Sequence, residues 1–148
     1  MQVTYLHHIM AKVVLTIWIV ILLSFGCESP NTYPDRIPDG IYTGTFQRQL
    51  VTGNGEIANV SISFSSNNWS GQGDKPNYPA LCNGTYKLEK QKIIFTNDCP
   101  WTAEFDWTLI LGGEYDYVLE GTQLKITRYY QRQLFTDFND IYTLTKQK

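Results

Sequence analysis

The chain has 148 residues, enough for one domain plus a targeting segment. Aromatic residues make up 14%, ten of them tyrosine, and charged residues only 18%, a balance that favours pleated, half-buried strands over helices. The net charge is -2 and the basic residues are scattered, so the cationic patch that a nucleic-acid binder needs to replace counterions along phosphates is missing.

Residues 13–25 read VVLTIWIVILLSF, an apolar run behind Lys12 and ahead of Gly26-Cys27. The run is shorter than the roughly 18 to 20 residues needed to cross hydrocarbon, and its charge-then-apolar order is that of a secretory signal. Met10-Ala11-Lys12 makes a cleaner start for such a signal than the preceding residues with His7 and His8. The sequence Leu23-Ser24-Phe25-Gly26-Cys27 resembles the lipobox of bacterial lipoproteins. That resemblance implies cleavage after residue 26 and acylation of Cys27, leaving a chain of charge about -3 once Lys12 is removed. Two or three acyl chains hold a protein stably on a membrane, where one gives only marginal binding. An ordinary signal peptide with an incidental cysteine, or an uncleaved anchor, is the alternative. Residues 28–39, ESPNTYPDRIPD, carry no periodicity and are expected to form, with Cys27, a flexible tether over 27–39.

From residue 40 onward the pattern alternates with period two. Tyr42, Gly44 and Phe46 share one face of a first strand, and Ala58, Val60, Ile62 and Phe64 one face of a second. The stretch from Trp69 to Tyr78 reads as a short strand followed by a loop. Between Cys82 and Cys99, a two-residue turn at Lys90-Gln91 sets Leu88 against Ile93 and Tyr86 against Phe95. On the opposite face, Glu89 then meets Lys92 and Thr85 meets Thr96. The same register places Cys82 opposite Cys99, predicting a cross-strand disulfide in an oxidising compartment. A free pair or a metal site is the alternative reading.

Trp101, Ala103, Phe105, Trp107, Leu109 and Leu111 alternate with polar residues and predict the strongest strand of the chain. A three-residue loop at Gly112-Gly113 would pair Leu111 with Tyr115, Leu109 with Tyr117 and Trp107 with Leu119. A turn at Gly121 returns Leu124 and Ile126, and Tyr142 and Leu144 close the domain over 40–148. Eight or nine short strands with one apolar face each bury those faces most simply as an up-and-down antiparallel β-barrel, with a two-sheet sandwich as runner-up.

The order of these features resembles the lipocalin-like lipoproteins of bacteria. It is carried by Gly40-Ile41-Tyr42-Thr43-Gly44-Thr45-Phe46, by Tyr78 to Tyr86, by Ile93 to Asn97, by Cys99 to Trp107 and by Tyr142-Thr143-Leu144. The resemblance implies a calyx-like barrel with a lumen site, without a defined ligand and without catalytic residues.

Both histidines lie at or before residue 8, so the domain has no imidazole for a His-based nucleophile or for the commonest zinc sites. Glu104 and Asp106 on one strand face could form an acid pair, but the solvated outer face of an amphipathic strand is the preferred reading, since the apolar residues at alternate positions already explain the pattern. Residues 137–140, DFND, read as a polar turn rather than a calcium loop. The expected function is therefore non-enzymatic, with no cofactor and no metal. The leading expectation is a lipid-anchored binding module of the cell envelope, on the outer membrane, taking a small apolar or amphipathic ligand. Tyr42, Phe46, Tyr86, Trp101, Phe105, Trp107, Tyr115 and Tyr117 would line its lumen. Arg128, inward near a barrel end, would meet an acidic group or extend its head to solvent, the second being preferred. The alternative is a structural or protein-interaction lipoprotein with a barrel filled solid by those same rings.

Overall fold

Alternation of apolar and polar residues organises the computed structural model, which describes residues 33–102, 104–130 and 138–148. Eight strands form: β1 Gly40–Leu50, β2 Gly53–Ser65, β3 Asn68–Gly73, β4 Asn83–Glu89, β5 Lys92–Phe95, β6 Gly113–Glu120, β7 Gln123–Tyr130 and β8 Phe138–Lys146. Each pairs antiparallel with its sequence neighbour, and β8 pairs with β1 over nine residues, closing an up-and-down barrel in strand order. Closure removes the two unpaired edges that a sheet of this length would otherwise expose.

The inward faces are those the alternation predicts. Tyr42 and Phe46 on β1, Ala58, Val60, Ile62 and Phe64 on β2, Tyr86 on β4, Ile93 and Phe95 on β5, and Tyr142 and Leu144 on β8 are all buried. The rings meet edge to face: Trp69 on Phe95 with centroids 5.6 Å apart, Phe95 on Tyr115 at 5.7 Å, Phe64 on Tyr86 at 5.1 Å. Each such side chain contributes roughly 1.5 to 3 kcal/mol through burial alone. Glycine makes the tight curvature possible at two inward positions. A Cβ on Gly44 would strike the carbonyl of Thr143 on the neighbouring strand, and one on Gly84 the carbonyl of Thr96.

The β4–β5 hairpin has the predicted register, with Tyr86 opposite Phe95 and Leu88 opposite Ile93. Lys90 takes a left-handed φ of 57° in its turn, which lets a pair without the usual Asn-Gly chemistry make a two-residue connection. The Cys82–Cys99 disulfide forms, with Cα atoms 6.4 Å apart.

Two expectations fail. Among the described residues no strand runs from Trp101 to Leu111. After β5 the chain crosses the barrel end, makes a short 3-10 turn at Trp107–Leu109, and touches the β3–β4 connection through Ile110 and Ala80. The pairings of Leu111 with Tyr115, Leu109 with Tyr117 and Trp107 with Leu119 are absent, because β6 uses that edge to pair with β5, setting Ile93 against Tyr115. The disulfide and Pro100 bend the chain at the start of this segment. Further on, Asp106 caps the turn through the Thr108 amide, 2.9 Å away.

The second failure lies in the tether. Ile37 is fully buried in the core. Its N–H donates to the Tyr86 hydroxyl at 3.1 Å, the Tyr42 hydroxyl donates to the Pro38 carbonyl at 3.0 Å, and Asp39 accepts from the Ser66 amide at 3.0 Å. Residues 37–39 therefore plug the barrel end that carries the tight turns at 66–67, 90–91 and 121–122. A buried isoleucine with its backbone bonded is part of the domain, whatever the polarity of its sequence neighbours. The leader, Cys27 and residues 28–32 of the tether lie outside the described residues.

Candidate functional site

The opposite end of the barrel carries the longer connections, 74–82 between β3 and β4 and 96–112 between β5 and β6. There the inward register of three adjacent strands runs out of apolar residues. On β1 it passes from Phe46 to Arg48, on β7 from Ile126 to Arg128, and on β8 it reaches Tyr142 from Asp140. Arg48 and Arg128 are both cross-strand partners of Asp140, so one rung of the wall reads Arg–Asp–Arg across β1, β8 and β7.

Asp140 is 2% exposed and Arg48 7%. The guanidinium grips the carboxylate in bidentate fashion, Nε to Oδ1 and Nη2 to Oδ2, both at 2.7 Å. Its remaining hydrogen bonds go to the β5–β6 connection: Nη1 donates to Asp106 Oδ2 at 2.8 Å and to Thr108 Oγ1 at 3.0 Å, and Nη2 donates to the Thr108 carbonyl at 3.2 Å. Burial pushes the Asp140 carboxyl above its ordinary range, and the bonds and charge of Arg48 offset this only in part. Burial also works upward on Asp106, but the hydrogen bonds from Thr108 and the proximity of Arg48 outweigh it and hold that carboxyl below its ordinary range.

Arg128 is held differently. Its Nη1 donates to the Gly112 carbonyl at 2.9 Å and to the Tyr115 hydroxyl at 3.3 Å, and among the described residues it has no carboxylate within ion-pair distance. Arg128 is half-buried, so its head is held by these bonds while part of it stays in reach of solvent. Two stacked rings, Tyr130 and Phe138 with centroids 4.6 Å apart, link the arginines. Arg48 lies 3.9 Å from the Phe138 centroid and Arg128 4.4 Å from that of Tyr130. The result is a cation–ring–ring–cation stack across the end of the barrel.

The structure separates the predicted lumen residues. Tyr42, Phe46, Tyr86, Tyr115 and Tyr117 point inward and are buried. Trp101 and Phe105 sit in the β5–β6 connection with rings 5.5 Å apart, and Trp107 is 56% exposed with its Nε1 donating to the Thr102 carbonyl. These three do not line a lumen. Asp106 is engaged by Arg48 and Thr108 rather than paired with Glu104. Residues 138–140 belong to β8 and not to a polar turn; Asp137 lies outside the described residues. Arg48 and Asp140 were not singled out in the sequence. Their signal was available, since each lies two residues from an inward aromatic on its own strand, where a charged residue in the apolar register needs a partner.

Among the described residues, the inward side chains pack against one another. Tyr42, Phe46, Ile62, Ile93, Leu111 and Ile126 have no surface that a water molecule can touch, so no void of water size borders them. Burial pushes the phenols of Tyr115 and Tyr142 up, which keeps them protonated and neutral inside the barrel. Fold and site together define a closed eight-stranded barrel with an ion-paired, ring-capped end. No family model matches the sequence, and no curated protein or solved structure matches it either.

Proposed function

We propose that this chain is a lipid-anchored, non-enzymatic protein of the cell envelope that works through its outer surface, its barrel serving as a solid scaffold. The observation that supports this reading is the filled lumen: rings in edge contact occupy the space that a calyx would leave for a ligand. A small apolar ligand would have to displace side chains whose burial holds the domain together, which makes the lumen-binding alternative the weaker of the two. The charged end fits a scaffold as well. The buried carboxylate is neutralised by Arg48, and that same arginine secures the long β5–β6 connection to the barrel wall. The anchor rests on the lipobox resemblance at Cys27.

Native mass spectrometry of the detergent-extracted protein tests both parts. The expected spectrum shows a mass lacking residues 1–26 with acyl chains added, the Cys82–Cys99 bond intact and no lipophile retained. An unprocessed, unacylated chain refutes the anchor, and a stoichiometric lipophile inside the barrel refutes the solid scaffold.

A further inference from the structure

The outer wall of the barrel divides by charge. On β4, β5 and β6 the outward positions carry ion pairs: Lys87 with Glu89 at 2.6 Å, and Lys92 with Glu114 and Asp116 at 3.2 and 2.9 Å. On β8, β1 and β3 the outward positions carry no charge, and neither do those of β2 from Ile57 to Ser65. They hold threonine, serine, asparagine and glutamine, with exposed Ile41 and Ile57 among them. Cross-strand pairing sets these groups in rungs. Thr145, Thr43, Ser61 and Gln72 follow one another across β8, β1, β2 and β3, and Thr143, Thr45 and Asn59 form the next rung. Soluble proteins commonly keep both signs of charge interspersed over a solvated surface; here the charges stand only at the margin, in the Glu56–Lys75 pair and Asp74, and the rungs between them carry none.

Two grooves open on this wall. One, of about 550 Å³, runs across β1, β2 and β3 between Thr43, Thr45, Asn59, Ser61 and Gln72, and Asp74 stands at its edge, where its carboxylate accepts from the backbone and side-chain amides of Asn59. The other, of about 250 Å³, lies at the loop-bearing end, where the amides of Gln49, Asn54 and Asn139 surround Leu50 and the ring of Phe138.

We propose that the wall formed by β8, β1, β2 and β3, with its uncharged rungs, is a binding surface for a neutral glycan chain. This deepens the surface-acting reading above and rests on it. Hydroxyls and primary amides both donate and accept hydrogen bonds, as sugar hydroxyls do. Rungs spaced by the roughly 4.8 Å between strands offer the repeated contacts that a polymer can use. The exposed side chain of Leu50 in the second groove suits the C–H face of a sugar ring. Nucleic acid and anionic lipid would require cations that this wall lacks. A second copy of the chain would be expected to meet aromatic, Met or Arg side chains at the centre of the patch, and the rungs contain none.

The test is amide chemical-shift mapping on the full chain with chito-, cello- and malto-oligosaccharides as probes. Expected are shifts confined to β8, β1, β2 and β3, and an affinity that changes little with added salt. Thr45→Lys and Gln72→Lys, both at outward positions, should each weaken binding about tenfold or more without moving the melting midpoint. The proposal is overturned if none of the three glycans shifts this wall, if the shifts fall on β4 to β6, if the lysine variants bind as wild type, or if Thr45→Lys instead separates a dimer in sedimentation. A retained lipophile in the mass spectrum would refute the solid-scaffold reading while leaving the glycan mapping to be judged by its own result, so the two failures are distinguishable.

Discussion

Replacing Arg48 by methionine removes five hydrogen bonds at once, two to Asp140, one to Asp106 and two to Thr108. The consequence is set by what stays behind. Asp140, 2% exposed, keeps a carboxylate with no bidentate partner, and breaking a buried pair in this way costs about 3 to 5 kcal/mol. That is a large fraction of the 5 to 15 kcal/mol typical of a whole domain. Removing both charges in Arg48→Met/Asp140→Leu leaves no buried ion and should return stability to within about 2 kcal/mol of wild type. Urea melts of the full chain, followed by tryptophan fluorescence, give the four corners of the cycle. The pH dependence supplies an internal check. In Arg48→Met the folded-state pKa of Asp140 rises further above its unfolded value. The folded form then holds the proton more tightly, so the variant's deficit should shrink below the ordinary carboxylate range and grow as pH rises through the raised value. A loss under about 1 kcal/mol for Arg48→Met, or a double variant as unstable as the sum of the singles, would refute the buried pair.

Alkali should unfold the protein through its tyrosines. Burial raises the phenols of Tyr42, Tyr86, Tyr115, Tyr117 and Tyr142, so their stabilising contribution is intact below the unfolded value near 10 and lost as pH climbs toward the folded values. Each phenol costs up to about 1.4 kcal/mol per pH unit above that point. Tyrosinate absorbance should therefore rise together with the loss of near-UV ellipticity; smooth titration of every tyrosine in a folded barrel would contradict the assigned burial. Ile37→Ala should cost about 2 to 5 kcal/mol in a denaturant melt, whereas a residue in a free tether would cost nothing measurable. Reducing the Cys82–Cys99 bond, which spans 17 positions, should lower stability by about 3 kcal/mol in the chain-entropy model while far-UV ellipticity keeps its strand signature; an unchanged urea midpoint after reduction would argue against the bond.

Strand identity was written locally. Tyr42, Gly44 and Phe46 declare an inward face by alternation, and Leu88–Ile93 with Tyr86–Phe95 declare a register because slipping one residue would turn every apolar group outward. The disulfide followed from that register without further information. The segment from Trp101 to Leu111 alternates just as well and is not a strand. Period two records only which residues avoid water; whether a partner edge is free is settled by β6, which had already paired with β5. Ile37 was hidden by its polar neighbours, since one apolar residue has no period.

Arg48 and Asp140 lie 92 positions apart, and nothing local ties one to the other. Their pairing exists because β8 returns beside β1 and closes the barrel. The sequence alone determined which side chains face inward, strand by strand, since that depends on alternation within a few residues. Tertiary structure alone decided which strands become neighbours. That choice brought two charges together inside the wall, filled the lumen with rings from distant strands, and left four uncharged faces side by side.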